Sequence, residues 1–348
     1  MALSEEDVRK ALAKVKFPGL SRDIVSFGFV RSVVVSGGDV SVEIVMTTAN
    51  AAAGEAVERE ARRVLSELPG VGEVKLDCRV HSPQAATPVQ PPRGLLPGVR
   101  AKIAVASGKG GVGKSTVAAN LALALQRTGA SVGLLDADIY GPSQQLMMGC
   151  TDKPMVSPQE KILPVDGNGV KVMSLGFLMD PDTPVIWRGP MVMKALQQFL
   201  EDVEWGTLDY LIVDLPPGTG DAQLTITQQV PLDGAVIVTT PQDVALIDAR
   251  KGLAMFRKVN VPVLGVIENM SSFVCPHCGK TSEIFKHGGG RRTAEQLGVP
   301  FLGEVPIDPS IVTGGDAGTP IVVSHPSSGA AQAFVALAVE VARQVSGG

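Results

Sequence analysis

Apolar and polar positions give the two parts of this chain different rhythms. Near the start, Val8, Leu12 and Val15 recur at helical spacing behind Ser4-Glu5-Glu6-Asp7, an N-cap followed by first-turn acids. Residues 29–36 and 39–47 are strand-like runs around Gly37-Gly38-Asp39, which predicts a hairpin. Residues 51–68 are strong helix formers ending at Pro69-Gly70, and 72–79 reads as a last strand. Beyond residue 100 the rhythm changes. Short, largely apolar runs at 103–106, 132–135, 208–215, 234–240 and 262–267 alternate with helical stretches. Runs without a polar face belong to strands covered on both sides, so this part predicts an α/β fold with a mostly parallel, doubly wound sheet. Residues 330–345, rich in alanine with a single arginine, predict a terminal helix lying on the core rather than on a membrane.

Three regions follow: a small α+β domain over 1–80, a linker over 81–99 with five prolines, and a large domain over 100–348. Composition alters this picture little. The chain is 45% hydrophobic and 19% charged, with net charge −4, which counts against nucleic acid or an anionic membrane as the main partner. No apolar run approaches the roughly 18 residues of a membrane span. The N-terminus is acidic and amphipathic rather than a leader. Four cysteines in 348 residues are no disulfide framework, so the expected setting is a reducing cytoplasm.

Chemistry concentrates first after the 103–106 strand. Gly108, four residues, then Gly113-Lys114-Ser115 forms a P-loop pattern between a predicted strand and a predicted helix. The loop from Gly108 through Lys109, Gly110, Gly111, Val112 and Gly113 to Lys114, Ser115 and Thr116 is the expected nucleotide cradle. Its backbone N–H groups and the positive end of the next helix face the phosphates. Lys114 would reach the β- and γ-phosphates of ATP, and the Ser115 hydroxyl would bind Mg²⁺. Two later strands end in acids, Asp136-Ala137-Asp138 and Asp214. Ligands of such sheets sit at the carboxyl ends of strands, so these acids are expected to face the phosphates. Asp214 after an apolar strand is a Walker B arrangement, with Gly218 beyond it as a flexible sensor of the γ-phosphate.

A second centre is Cys275-Pro276-His277-Cys278-Gly279. Two thiolates in a C-x-x-C turn make half a site, since zinc and [4Fe–4S] both want about four ligands. Neither Cys78 nor Cys150 sits in a ligand-like turn, whereas two copies of the chain would supply four sulfurs. The residues alone leave a cluster, zinc and a redox pair open. His277 and His287 receive no ligand role.

Loop G-K-G-G-V-G-K-S-T, with its second lysine at Lys109, resembles the deviant Walker A ATPases. These include nitrogenase iron protein, partitioning and septum-site ATPases, and Mrp/ApbC iron–sulfur carriers. The segments 187–194, 268–278, 305–309 and 316–320 narrow the resemblance to the Mrp/ApbC carriers. The α-β-β-α-β order at the start resembles the MIP18-like domain of iron–sulfur assembly proteins, without the cysteine usual after its Thr-Thr pair (here Thr47-Thr48). The resemblance implies a homodimeric, ATP-hydrolysing carrier that holds a [4Fe–4S] cluster between subunits. It would receive the cluster from scaffold or donor proteins and pass it to apo iron–sulfur proteins. By the same resemblance Lys109 reaches the partner's nucleotide, Asp138 orients the attacking water, Asp136 supports Mg²⁺ and Asn269 contacts the base. Cys275 and Cys278 bridge the cluster. Arg188 gains no defined role. A partitioning ATPase and a zinc-stapled dimer are the competing readings.

Overall fold

A computed structural model of the chain describes residues 3–18, 23–47, 51–81, 95–178 and 189–347. Most of the proline-rich linker, Thr48 and the positions after it to residue 50, and the Trp187-Arg188 pair lie outside these residues. The chain divides into two compact units, Met1–Thr87 and Pro88–Gly348.

In the first unit, α1 (Glu5–Leu12) is opened by a reciprocal cap between Ser4 and Asp7, both backbone-to-side-chain bonds being 3.2 Å. Strands β1 (Val30–Ser36) and β2 (Asp39–Thr47) form the hairpin, followed by α2 (Ala51–Ser66) and β3 (Val74–His81). β2 is central, antiparallel to β1 and parallel to β3. Alternation along β2 buries Val40, Val42, Ile44 and Met46 in one core with Val8 and Leu12 of α1 and Val57, Ala61 and Leu65 of α2.

The second unit begins with β4 (Val99–Ser107), α3 (Lys114–Arg127), β5 (Val132–Asp136) and a short α4 (Gln144–Met147). A hairpin of β6 (Val165–Gly167) and β7 (Val170–Ser174), which the sequence pattern did not reveal, comes next. Then follow α5 (Gly189–Glu201), β8 (Leu208–Asp214), α6 (Asp221–Gln229), β9 (Gly234–Thr239) and α7 (Asp243–Lys258). The unit closes with β10 (Val263–Val274), β11 (Thr281–Ser282), α8 (Gly289–Leu297), β12 (Phe301–Ile307), α9 (Pro309–Asp316), α10 (Ile321–Ser324) and α11 (Gly329–Ser346).

The nine-stranded sheet runs β11-β10-β9-β4-β8-β5-β7-β6, with β12 also paired to β10. Among the described residues of this sheet, the β6–β7 and β10–β11 pairs are antiparallel and the others parallel. The sheet is thus mostly parallel, as its apolar strands require: β5 and β9 are buried at every position. α3 is buried along nearly its whole length, including Leu121, Leu123 and Leu125. On α11, Phe334, Leu337, Ala338 and Val341 are buried in the same core, so the terminal helix is a structural layer. No helix among the described residues is long and apolar enough to cross a membrane.

Two features of this sheet place the chemistry. β4 lies between β8 and β9, and β5 lies beyond β8, so the chain leaves β4 in one direction and returns on its other side. That is a topological switch point, where such sheets bind ligands. The register then sets Asp214 level with Val105 on one side and with Asp136 on the other. The expected strand at 262–267 extends further than its apolar run. β10 continues to Val274 because β12 and β11 pair with its polar second half.

Candidate functional site

The loop after β4 is shaped by contacts on two sides. A side chain at Gly108 would collide with the Asp248 carbonyl of α7, so only glycine lets loop and helix approach this closely. Gly113 sits at φ +79°, the left-handed region, and a side chain there would also strike the Asn269 amide. It is the N-cap of α3 and offers no side chain to cap the helix. The N-terminus of α3 therefore opens into the loop, the arrangement that suits an anion.

Lys114 is buried and carries the charge of this centre. Its ammonium is bonded to the Asp214 carboxylate, lies 3.2 Å from the Ser115 hydroxyl and stands 3.6 Å from Asp138 Oδ2. Asp136 completes a group of three buried carboxylates around this lysine. It accepts from the backbone N–H of Asp138, Ser143 and Gln144 and from the Ser174 hydroxyl, all at 2.9–3.0 Å. Burial, then the Asp214 charge, raises the Asp136 carboxyl to about 7. Burial also raises Asp138 above the usual carboxylate range. Three carboxyl groups around one ammonium leave spare oxygen ligands of the kind a divalent cation takes.

The remaining loop residues separate by role. Lys109 is half-buried and forms no ion pair among the described residues. The Ser107 hydroxyl donates to the Lys109 carbonyl at 2.9 Å, and the Gly218 N–H donates to the Ser107 carbonyl at 3.0 Å. The glycine after the Asp214 strand thus rests directly on the root of the loop. Asn269, expected at the base, donates its amide to the Val112 carbonyl at 2.8 Å. The observed contact braces the loop from β10.

Gln144 had no place in the sequence reading. It is fully buried, and its amide nitrogen donates to the Ser115 carbonyl at 3.0 Å and to Asp214 Oδ2 at 2.8 Å. Its neighbour Gln145 accepts from Ser174, the hydroxyl that also serves Asp136. No motif marks these glutamines. Their partners lie on α3, β7 and β8 and become neighbours only through the sheet.

Cys275 and Cys278 form a separate centre just past the end of β10. Asn269 and Cys275 stand on one continuous segment, six positions apart, so at most about 20 Å of extended chain separates loop brace and cysteine. Within it Met270 adopts φ +57° and the pairing with β12 slips, so the segment is kinked rather than straight. The short β10–β11 hairpin presents the cysteines at its tip. The Cys275 N–H donates to Lys280 at 3.0 Å, and the Gly279 N–H returns to Cys275 at 2.9 Å. Backbone N–H groups of His277 and Cys278, with the Cys278 thiol, hold the Cys275 thiol below its ordinary range. Burial does the opposite elsewhere, pushing Cys78 up to about 11 and Cys150 up to about 12. Cys275 therefore gives up its proton more readily than an ordinary thiol, and Cys278 beside it is exposed.

Residues 98–342 match the model of the NUBPL iron-transfer P-loop NTPases, and 5–76 match that of the iron–sulfur cluster assembly proteins. The chain belongs to the NUBPL iron-transfer P-loop NTPase family. Its similarity to an iron–sulfur cluster carrier protein of Synechocystis is 48% identity over 349 residues, covering 99% of this chain and 98% of that one. It is 52% identical over 252 residues to the iron–sulfur cluster transfer protein NUBPL of Mus musculus, covering 72% and 79% of the two chains. Among solved structures, the fold resembles an ADP-bound nucleotide-binding protein of Archaeoglobus fulgidus. The TM-score is 0.57 at 41% identity, over 63% of this chain and 87% of that one. The cell-division ATPase MinD of Pyrococcus furiosus has TM-score 0.54 at 25% identity, over 70% and 99%. The family is thus one of nucleotide-binding P-loop proteins, consistent with the loop, the strand-end acids and their lysine.

Proposed function

We propose that this protein is an ATP-hydrolysing carrier that holds a [4Fe–4S] cluster between two copies of the chain and hands it to apo-proteins. The observation that carries the reading is the unequal completeness of the two centres. The buried cluster of the P-loop centre, Lys114 with its acids and Gln144, is assembled within one chain. The cysteine centre offers two thiols on an exposed tip, with no third cysteine in a comparable turn. Two such tips supply the four sulfurs that a cluster takes. Apolar side chains left exposed beside both centres support a second copy as the covering partner. Val244 and Ile247 project from α7, which backs the loop, and Val274 and Ile284 flank the knuckle. The names of the relatives support iron–sulfur cargo over a purely structural zinc.

The residues fit magnesium-bound nucleotide. Ser115, Asp138 and Asp214 are hard oxygen donors, and Asp138 Oδ1 is buried without a partner among the described residues. When bound, the cation would neutralise phosphate charge. Gly108 to Thr116 cradle the phosphates. Lys114 exchanges its carboxylate partners for them, Lys109 of each chain serves the other chain's nucleotide, and Asp138 orients the attacking water. Asp136 holds the segment after β5 in place. Asp214 and Gly218 pass nucleotide state to the loop root. Asn269 braces the loop, and β10 carries that state on to Cys275 and Cys278. No membrane or nucleic acid takes part, and the cytoplasm is the working place.

The test is transfer. Anaerobically loaded protein should restore activity to an apo-enzyme that needs a [4Fe–4S] cluster, and ATP should change the rate. Cys275→Ala should transfer nothing. Equal reactivation by Cys275→Ala, or by iron and sulfide alone, sinks the proposal.

A further inference from the structure

Gln144 lies at the meeting point of all parts of the nucleotide centre, yet no motif claims it. Its backbone N–H donates to Asp136 at 3.0 Å. Its side-chain nitrogen donates at once to the Asp214 carboxylate, at 2.8 Å, and to the Ser115 carbonyl, at 3.0 Å. It thereby ties the end of β8 to the first turn of α3 and to the end of β5. The other half of its amide behaves differently. Gln144 Oε1 is buried and has no hydrogen-bond donor among the described residues. Leaving an acceptor buried and unpaired costs about 1–3 kcal/mol. The nearby Asp138 Oδ1 shares this condition. Two unpaired acceptors beside Ser115 and Asp214 are what a hydrated cation requires, because its bound waters are strong donors that need partners.

We propose that Gln144 is a positioning residue of the magnesium site. Its N–H group fixes Asp214 against Ser115, and its oxygen accepts a hydrogen bond from water bound to the cation. This deepens the nucleotide-binding reading and rests on it. Asp214 presents one oxygen to Lys114 and the other to Gln144. When Lys114 turns to the phosphates, Gln144 keeps the carboxylate aimed at Ser115. The residue acts on the cation, so its removal weakens magnesium-dependent binding and spares the binding that the loop and Lys114 supply alone.

The experiment measures ADP affinity of the full-length protein by isothermal titration, with magnesium and with excess EDTA. Gln144→Met keeps length and bulk but removes both polar functions. It should lose about tenfold of the affinity that magnesium adds (about 1.4 kcal/mol) and keep the affinity measured in EDTA. Gln144→Glu keeps an acceptor oxygen but loses the donor to Asp214, so it should keep more of the magnesium gain than Gln144→Met. A Gln144→Met protein with an unchanged magnesium gain overturns the inference, as does equal loss with and without magnesium, which marks a purely structural amide. A Gln144→Glu protein that loses as much of the gain as Gln144→Met overturns the acceptor role. A wild-type protein that gains nothing from magnesium overturns the underlying reading of the centre, a result distinct from the other three.

Discussion

The two chemical centres of this chain are opposites. Around Lys114 everything is buried, charged and mutually bonded: three carboxylates, one ammonium, Gln144 and the Asn269 brace on Val112. Around Cys275 almost nothing is buried, and the polar contacts come from the backbone of the turn itself. One centre has its buried, bonded core within a single chain. The other is an open turn, and the proposed reading puts a second copy and a cargo on its exposed side. The contrast separates substitutions that should damage the fold from those that should damage only the load.

The largest difference should appear at Lys114. Lys114→Ala leaves buried carboxylates without their cation and should lower stability by about 3–5 kcal/mol in urea unfolding. It should also abolish nucleotide binding. Cys275→Ser and Cys278→Ser should unfold at the same urea midpoint as wild type while losing the cargo. A knuckle variant as unstable as Lys114→Ala would break the comparison. Next comes Asn269→Ala, which strips the Val112 carbonyl of its buried donor at a cost of about 1–3 kcal/mol. It should also uncouple the centres. In wild type, nucleotide should change the alkylation rate of Cys275 and Cys278, and in the variant it should not. Gly113→Ala should cost about 1–2 kcal/mol from its left-handed backbone alone and weaken ADP further through the clash with Asn269. The smallest effect is a matter of pH. Cys275 titrates below the ordinary thiol value, so its alkylation should reach its plateau at lower pH than that of Cys150 in urea-unfolded protein. In the folded protein, Cys78 and Cys150 should remain slow through neutral pH because burial keeps them protonated. Equal pH profiles for all four cysteines would remove the claim of a prepared thiolate.

The sequence revealed the local parts of this machinery and hid the parts made by register. A Gly-rich loop after an apolar strand, acids closing two others and a C-x-x-C turn are each contained in a few consecutive residues. Their types can be read without the fold. The α/β sheet was legible for the same reason, since short, largely apolar runs alternating with helical stretches have one common use. Gln144 was not legible. Its partners Ser115 and Asp214 are 29 and 70 residues away, and only the β5–β8 and β4–β8 registers bring them together. Nor was the full length of β10, because Glu268, Asn269, Ser271 and Ser272 interrupt the apolar pattern while pairing with β12 and β11 sustains the strand. That hidden length joins the loop brace at Asn269 to the start of the cysteine turn.

The most direct measurement is the stoichiometry of a loaded protein. The chain should be reconstituted anaerobically with iron and sulfide, separated by size-exclusion chromatography with light scattering, and analysed for iron and zinc. A brown species of two chains with about four iron atoms, absent from Cys275→Ala and Cys278→Ala, is the expected result. A single chain holding the full cluster, or a dimer that takes up one zinc and no iron, would contradict the shared site.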